Sequence, residues 1–107
     1  MKVEVLYVAD CPSHLGAVKL VREVLAAQGV TAEIHEVLVA DQRMASELRF
    51  LGSPTIRING RDVAGEPQEI QGFALSCRLY AGSKNVGLPP AEMIHHAVVE
   101  ARRGGRP

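Results

Sequence analysis

Cys11 and His14 are the residues best suited to chemistry, and Pro12 stands between them in the motif Cys11-Pro12-Ser13-His14. A cysteine at the start of a helix lies near free backbone N–H groups and the positive end of the helix dipole, which stabilise negative charge on sulfur. The thiolate is the reactive form of cysteine. The motif therefore predicts a nucleophilic thiol at Cys11; the alternative is a small buried side chain that precedes a helix.

His14 follows Cys11 by about one helical turn, so the two side chains can approach each other. A protonated imidazole would stabilise the thiolate, and a neutral imidazole could accept the thiol proton. The alternative is an exposed helix histidine without a role. Asp10 directly precedes the thiol, where its charge would oppose a thiolate or could shuttle a proton; we favour a solvated turn residue.

Cys77 is the second of the two cysteines and lies far along the chain from Cys11. If the fold brings it close, it could resolve a mixed disulfide, or join Cys11 and His14 in binding a thiophilic ion such as zinc or mercury. The apolar flank that contains Phe73 and Leu79 favours instead a buried, unreactive cysteine.

The elements that must position these residues follow from hydrophobic periodicity. Residues 2–9 form an apolar run typical of a strand buried on both faces. A helix is predicted at about 13–28, with Cys11 at its N-cap, Pro12 at its first position and Leu15 on its apolar stripe. Residues 31–39 predict a second strand, which the strand-helix-strand pattern makes parallel to the first.

Shorter elements follow in the second half of the chain. Asp41 is a candidate N-cap for a helix that ends near Gly52. Residues 55–58 and 61–63 are predicted strands, joined by Asn59-Gly60, because a type I′ hairpin turn requires positive φ at both positions. A last helix is predicted at about 91–102, after two prolines.

This order of elements, β-α-β-α-β-β-α, resembles the thioredoxin superfamily over about residues 2–63 and the last helix. The resemblance is carried by the Cys11 motif after the first strand and by Ser53-Pro54-Thr55 before the third. It implies a three-layer α/β fold with a mixed four-stranded sheet, to which residues 73–80 could add an extended segment.

The resemblance also implies site geometry. Pro54 would follow a cis peptide bond and face the active cysteine, so that Ser53 and Thr55, together with Pro12, could contact a peptide or thiol substrate. The second cysteine of the family motif Cys-x-x-Cys is replaced by His14, as in small relatives with Cys-Pro-x-His. Exchange between two cysteines of the motif is therefore impossible here.

Three functions follow as alternatives. The first is a thiol redox protein in which Cys11 attacks a disulfide, a glutathione adduct or an oxidant, and Cys77 or an external thiol resolves the product. The second is an organomercury- or heavy-metal-handling protein, similar to an alkylmercury lyase, that uses both cysteines. The third is a binding module that keeps the thioredoxin fold without turnover.

Composition restricts the class of protein and partner. The 107 residues suit one domain, with residues 102–107 as a flexible tail. Twelve basic residues balance 12 acidic ones, which argues against nucleic acid or an anionic membrane as partner. Glu4 interrupts the first apolar run, so we predict that this run is a strand and not a signal peptide. We therefore predict a cytoplasmic location. We predict a small thiol, disulfide or protein thiol as substrate, with no cofactor and no resident metal; nothing in the sequence specifies an oligomeric state.

Overall fold

The computed structural model describes residues 1–50, 52–65 and 88–103 of the chain. Its elements, in order, are β1 (Lys2–Tyr7), α1 (His14–Gln28), β2 (Glu33–Leu38), α2 (Gln42–Glu47), β3 (Thr55–Ile58), β4 (Arg61–Asp62) and α3 (Ala91–Arg103). The predicted order β-α-β-α-β-β-α is confirmed. Cys77, the extended segment predicted at 73–80 and residues 104–107 of the predicted tail lie outside the described residues. The prediction that the tail begins at 102 is wrong, because Arg102 and Arg103 belong to α3.

The strands form a mixed four-stranded sheet in the order β2-β1-β3-β4. β1 pairs in parallel with β2, as predicted, and antiparallel with β3, so that Val5 lies between Glu36 and Ile56. The central position explains why β1 is a nearly continuous apolar run, since Val3, Val5 and Leu6 are buried on its two faces, whereas Glu4 and Tyr7 are partly exposed. This topology is compatible with a thioredoxin-like α/β fold.

Helices cover both faces of the sheet. Val3 and Val5 pack with α1, α3 and β3 in one apolar cluster, whereas Leu6 packs with Ala45 and Phe50 in a second cluster beneath α2. Successive residues of a strand point to opposite faces, so β1 contributes to both clusters. The fold therefore has three layers: α1 and α3, the sheet, and α2.

Two local signals are confirmed by the backbone. Asn59 and Gly60 have φ values of 51° and 84°, which suit the predicted tight turn between β3 and β4. The Asp41 carboxylate accepts the N–H of Met44 at 2.8 Å and caps α2. α2 nevertheless ends at Glu47, well before the predicted stop, because the chain turns at a left-handed residue, Arg49, with φ 54°.

The prediction that Leu15 lies on the buried stripe of α1 is wrong, because its relative exposure is 75%. The buried face of α1 runs through Ala17, Val21 and Val24. At 3.6 residues per turn, that face leaves Leu15 on the solvent side of the first turn. Helical spacing alone therefore does not show that an apolar residue is buried. The residue must also lie on the face of the helix that contacts the core.

Candidate functional site

Cys11 lies half-buried in the connection between β1 and α1. Its carbonyl accepts the N–H of His14 at 3.3 Å, which closes a four-residue turn. Ser13, at the third position of that turn, has φ −98° and ψ −1°, as a type I turn requires. Pro12 occupies the second position, which a type I turn favours for proline. The predicted motif is thus a β-turn that leads directly into α1.

The expectation that Cys11 caps the helix is wrong. Ser13 is the N-cap, and the first helical residue is His14. Proline suits both the first position of a helix and the second position of a turn, because both need φ near −65°. In the structure, Pro12 occupies the second position of the turn and not the first position of the helix. Cys11 therefore stands two residues before the N-cap, and its carbonyl accepts the N–H of the first helical residue.

Asp10 shapes the approach to this turn. It is exposed and has φ 60°, a left-handed conformation that aspartate tolerates better than most residues. The Cys11 N–H then points back to the carbonyl of Val8 at 3.3 Å. The geometry agrees with the interpretation of Asp10 as a solvated turn residue.

His14 is held on two sides. Its ring is stacked on the ring of Tyr7, with centroids 3.6 Å apart and planes 7° apart. Its Nε2 atom lies 2.6 Å from Oε1 of Glu36, and only 16% of the His14 side chain is exposed. The alternative of an exposed helix histidine is therefore wrong as to exposure, and a chemical role for His14 stays a prediction.

Glu36 and Tyr7 are site residues that the sequence analysis missed. Glu36 pairs with Val5 in the parallel register, and Val5 packs against α1, so Glu36 lies on the sheet face towards that helix. Ile34 occupies the same face of β2 and packs against the core. If that face of β2 were apolar throughout, it would carry another apolar residue at position 36. The carboxylate there is the signal in the sequence that could have identified Glu36.

The Ser53–Pro54 peptide bond is cis, as the resemblance predicts. The Ser53 hydroxyl accepts the N–H of Val8 at 3.1 Å, across 45 positions of the sequence. Because the Val8 carbonyl also accepts the Cys11 N–H, one residue connects the Pro54 loop to the cysteine turn. The two predicted motifs are thus brought together at the end of β1.

The surface expected to contact a substrate is only partly accessible. Pro12 is exposed, whereas Pro54 is buried and Ser53 and Thr55 have relative exposures of 1% and 0%. The Thr55 hydroxyl donates to the carbonyl of Gly52 at 2.6 Å. The two hydroxyls therefore hold the loop in place, and substrate contact at these three buried residues stays a prediction.

The approach of Cys77 to Cys11 stays a prediction, because Cys77 lies outside the described residues. Within 1–50, 52–65 and 88–103, no three His, Cys, Asp or Glu side chains are grouped so that they could hold a metal ion. Over the same three ranges, the helices are too short or too polar to cross a membrane.

Two of the remaining histidines have contacts away from the site. His95 of α3 lies 3.0 Å from the side-chain nitrogen of Gln28, which also donates to the His95 carbonyl at 3.1 Å. This pair joins the end of α1 to α3, as expected for a helix-packing residue. His35 lies 3.3 Å from Glu33 on its own strand, and both are exposed.

Comparisons of the chain with protein-family models, with curated proteins and with solved structures found no match. The residues around Cys11 are therefore the basis on which a function can be assigned.

Proposed function

We propose that this protein is a thiol-dependent redox protein in which the thiolate of Cys11 attacks a disulfide. The observation that supports the proposal is the double hydrogen bond of Val8, whose carbonyl accepts from Cys11 and whose N–H donates to Ser53. These bonds hold the cysteine turn and the Pro54 loop side by side.

The neighbourhood of Cys11 suits a nucleophile better than a buried packing residue. The side chain is half-buried and stands in a turn whose next residue, Pro12, is exposed. His14 lies in the same turn and provides an imidazole at the start of α1. The thiolate is the attacking form of cysteine, so a base within reach of the thiol would increase its reactivity.

The proposed reaction has two exchange steps. The Cys11 thiolate attacks one sulfur of a substrate disulfide, forms a mixed disulfide with it and releases the other half as a thiolate. A second thiol then attacks the mixed disulfide. An external thiol regenerates Cys11 and leaves with the remaining half as a new disulfide, whereas a thiol of the chain would displace the remaining half and form a disulfide with Cys11. Overall, with an external second thiol, one substrate disulfide and one external thiol become one substrate thiol and one new disulfide.

The second thiol must come from outside the Cys-Pro-x-His motif, because His14 stands where a resolving cysteine would be. An external thiol such as glutathione can supply it, and Cys77 is the candidate within the chain. The two differ in outcome: glutathione gives a mixed glutathione disulfide, whereas Cys77 would give an intramolecular disulfide with Cys11.

The test uses the full-length chain and its single-cysteine variants. Cys77→Ser retains only Cys11, and Cys11→Ser retains only Cys77, so each variant is the matched control of the other. We expect Cys77→Ser to react with an aromatic disulfide at pH 7 at least about threefold faster than glutathione does. Cys11→Ser should lose that fast phase. The release of the aromatic thiolate, followed by absorbance, measures both rates.

Turnover is measured separately, with oxidised glutathione as substrate and intact mass as readout. Wild-type protein should gain one glutathione on Cys11 and lose it when reduced glutathione is added. A thiol at Cys11 that reacts no faster than free glutathione, with no adduct, would contradict the proposal and favour a binding module. An adduct that forms only in Cys77→Ser would identify Cys77 as the resolving thiol.

A further inference from the structure

His14 has contacts that determine which ring nitrogen carries a proton. Its Nε2 atom faces Oε1 of Glu36 at 2.6 Å. An ionised carboxylate can only accept a hydrogen bond, so Nε2 must be the donor. In the neutral imidazole, Nδ1 is then the unprotonated nitrogen and the atom that can accept a proton.

The ring is also fixed in its plane. Stacking on Tyr7 holds the plane of the His14 ring, and the hydrogen bond to Glu36 selects its orientation in that plane, because a ring turned over would place a C–H where Nε2 faces Glu36. Nδ1 is bonded to the ring carbon that carries the side chain, so it is the nitrogen nearer the backbone of the turn. Cys11 belongs to that turn, since its carbonyl accepts the His14 N–H at 3.3 Å.

We infer that Glu36 is a positioning residue for the chemistry of Cys11: it holds the His14 imidazole so that Nδ1 receives the thiol proton and later returns it. The inference rests on the proposed function. The Cys11 thiol gives its proton to Nδ1, and the resulting thiolate attacks the disulfide. The imidazolium then protonates the departing thiolate, so the products of this step are a mixed disulfide and a neutral thiol.

Glu36 also has an electrostatic part in this step. An imidazolium at the first residue of α1 faces the positive end of the helix dipole, which disfavours it. The carboxylate at 2.6 Å offsets that effect while the proton resides on His14. Glu36 therefore favours the transfer of the thiol proton to His14, and it acts without touching the substrate.

The tautomer of His14 gives a direct test that does not depend on activity. Nitrogen chemical shifts of the ring, measured by NMR on the wild-type protein, should show the neutral form protonated at Nε2. In Glu36→Gln the amide can either accept or donate, so the two tautomers should mix. A wild-type ring protonated at Nδ1 would overturn the inference, whether or not Cys11 proves reactive.

The leaving group of the disulfide gives the kinetic test. A departing aromatic thiolate needs no proton, whereas a departing glutathione thiolate is more basic and benefits from one. In the Cys77→Ser background, Glu36→Gln should therefore slow the reaction with oxidised glutathione by about tenfold. The reaction with the aromatic disulfide should slow by a smaller factor. Equal slowing of both reactions would show that the His14 proton does not assist the departing thiolate, and it would overturn the inference.

The chain provides a matched control on the same strand. Glu33 of β2 pairs with exposed His35 at 3.3 Å, away from the cysteine turn, so Glu33→Gln removes the same charge from a similar pair. It should change neither rate. If Cys11 is unreactive in every variant, the proposed function fails. If Cys11 is reactive but Glu36→Gln behaves like Glu33→Gln, only the inference about Glu36 fails.

Discussion

The rings of Tyr7 and His14 lie parallel, with their centroids 3.6 Å apart, and they connect the last residue of β1 to the first residue of α1. The loop that carries Cys11 runs between these two residues. Its ends are therefore held together by a side-chain contact as well as by the hydrogen bonds of Val8. A cysteine in a loop fixed at both ends keeps its position relative to the imidazole.

We expect Tyr7→Leu to lower the free energy of unfolding by about 0.5–1.5 kcal/mol beyond its loss of buried area, because it removes the stacked pair. Tyr7→Phe keeps the ring and should stay within about 0.5 kcal/mol of wild type. Chemical denaturation with a two-state fit measures both values. If Phe were as costly as Leu, the hydroxyl group and not the stacked ring would be the important feature.

The hydrogen bond between Ser53 and Val8 should be visible in both stability and reactivity. Ser53→Ala leaves the Val8 N–H without its acceptor, at a cost of about 1–3 kcal/mol in the free energy of unfolding. It should also slow the reaction of Cys11 with an aromatic disulfide, because Val8 also accepts the Cys11 N–H.

Ser46 offers the control for this change, since it is an exposed serine on α2. Ser46→Ala should alter the free energy of unfolding by no more than about 0.5 kcal/mol and leave the thiol rate unchanged. A Ser53→Ala variant that matched Ser46→Ala in both measurements would show that the Val8 connection does not hold the site.

Two leucines of α1 provide a test of the fold itself. Leu25 is 5% exposed and Leu15 is 75% exposed. Leu25→Ala should therefore cost about 2–5 kcal/mol by opening a cavity in the core. Leu15→Ala removes the same atoms from a solvent-facing position and should cost no more than about 0.5 kcal/mol. Similar losses for the two variants, measured by denaturation, would contradict the orientation of α1.

Local signals in the sequence predicted much of the fold. The central strand was identified from an apolar run, and the hairpin turn from Asn59-Gly60, whose φ values the backbone confirms. Asp41 was identified as a helix cap from its residue type and position. The structure confirms it, since its carboxylate accepts an N–H only three residues ahead. Such features depend on neighbours in sequence, so the residue types are sufficient to predict them.

Pro12 and Leu15 mark where local signals failed. Proline fits a helix start and a turn equally well, and only the path of the chain into α1 decides between them. Leu15 has helical spacing with buried residues, yet the orientation of α1 on the sheet leaves it in solvent. Both outcomes depend on how a whole element is placed against the rest of the fold. A short window of sequence does not contain that information.

The sequence by itself determined the order of the elements and placed an imidazole one turn after a cysteine. Only the tertiary structure decided that the imidazole is hydrogen-bonded to Glu36, 22 positions away, and that the Ser53 hydroxyl accepts the Val8 N–H across 45 positions. The physical reason is that these contacts join different elements. They exist only once β2 and the Pro54 loop have packed beside β1, where strand register and helix orientation bring distant side chains within hydrogen-bond distance.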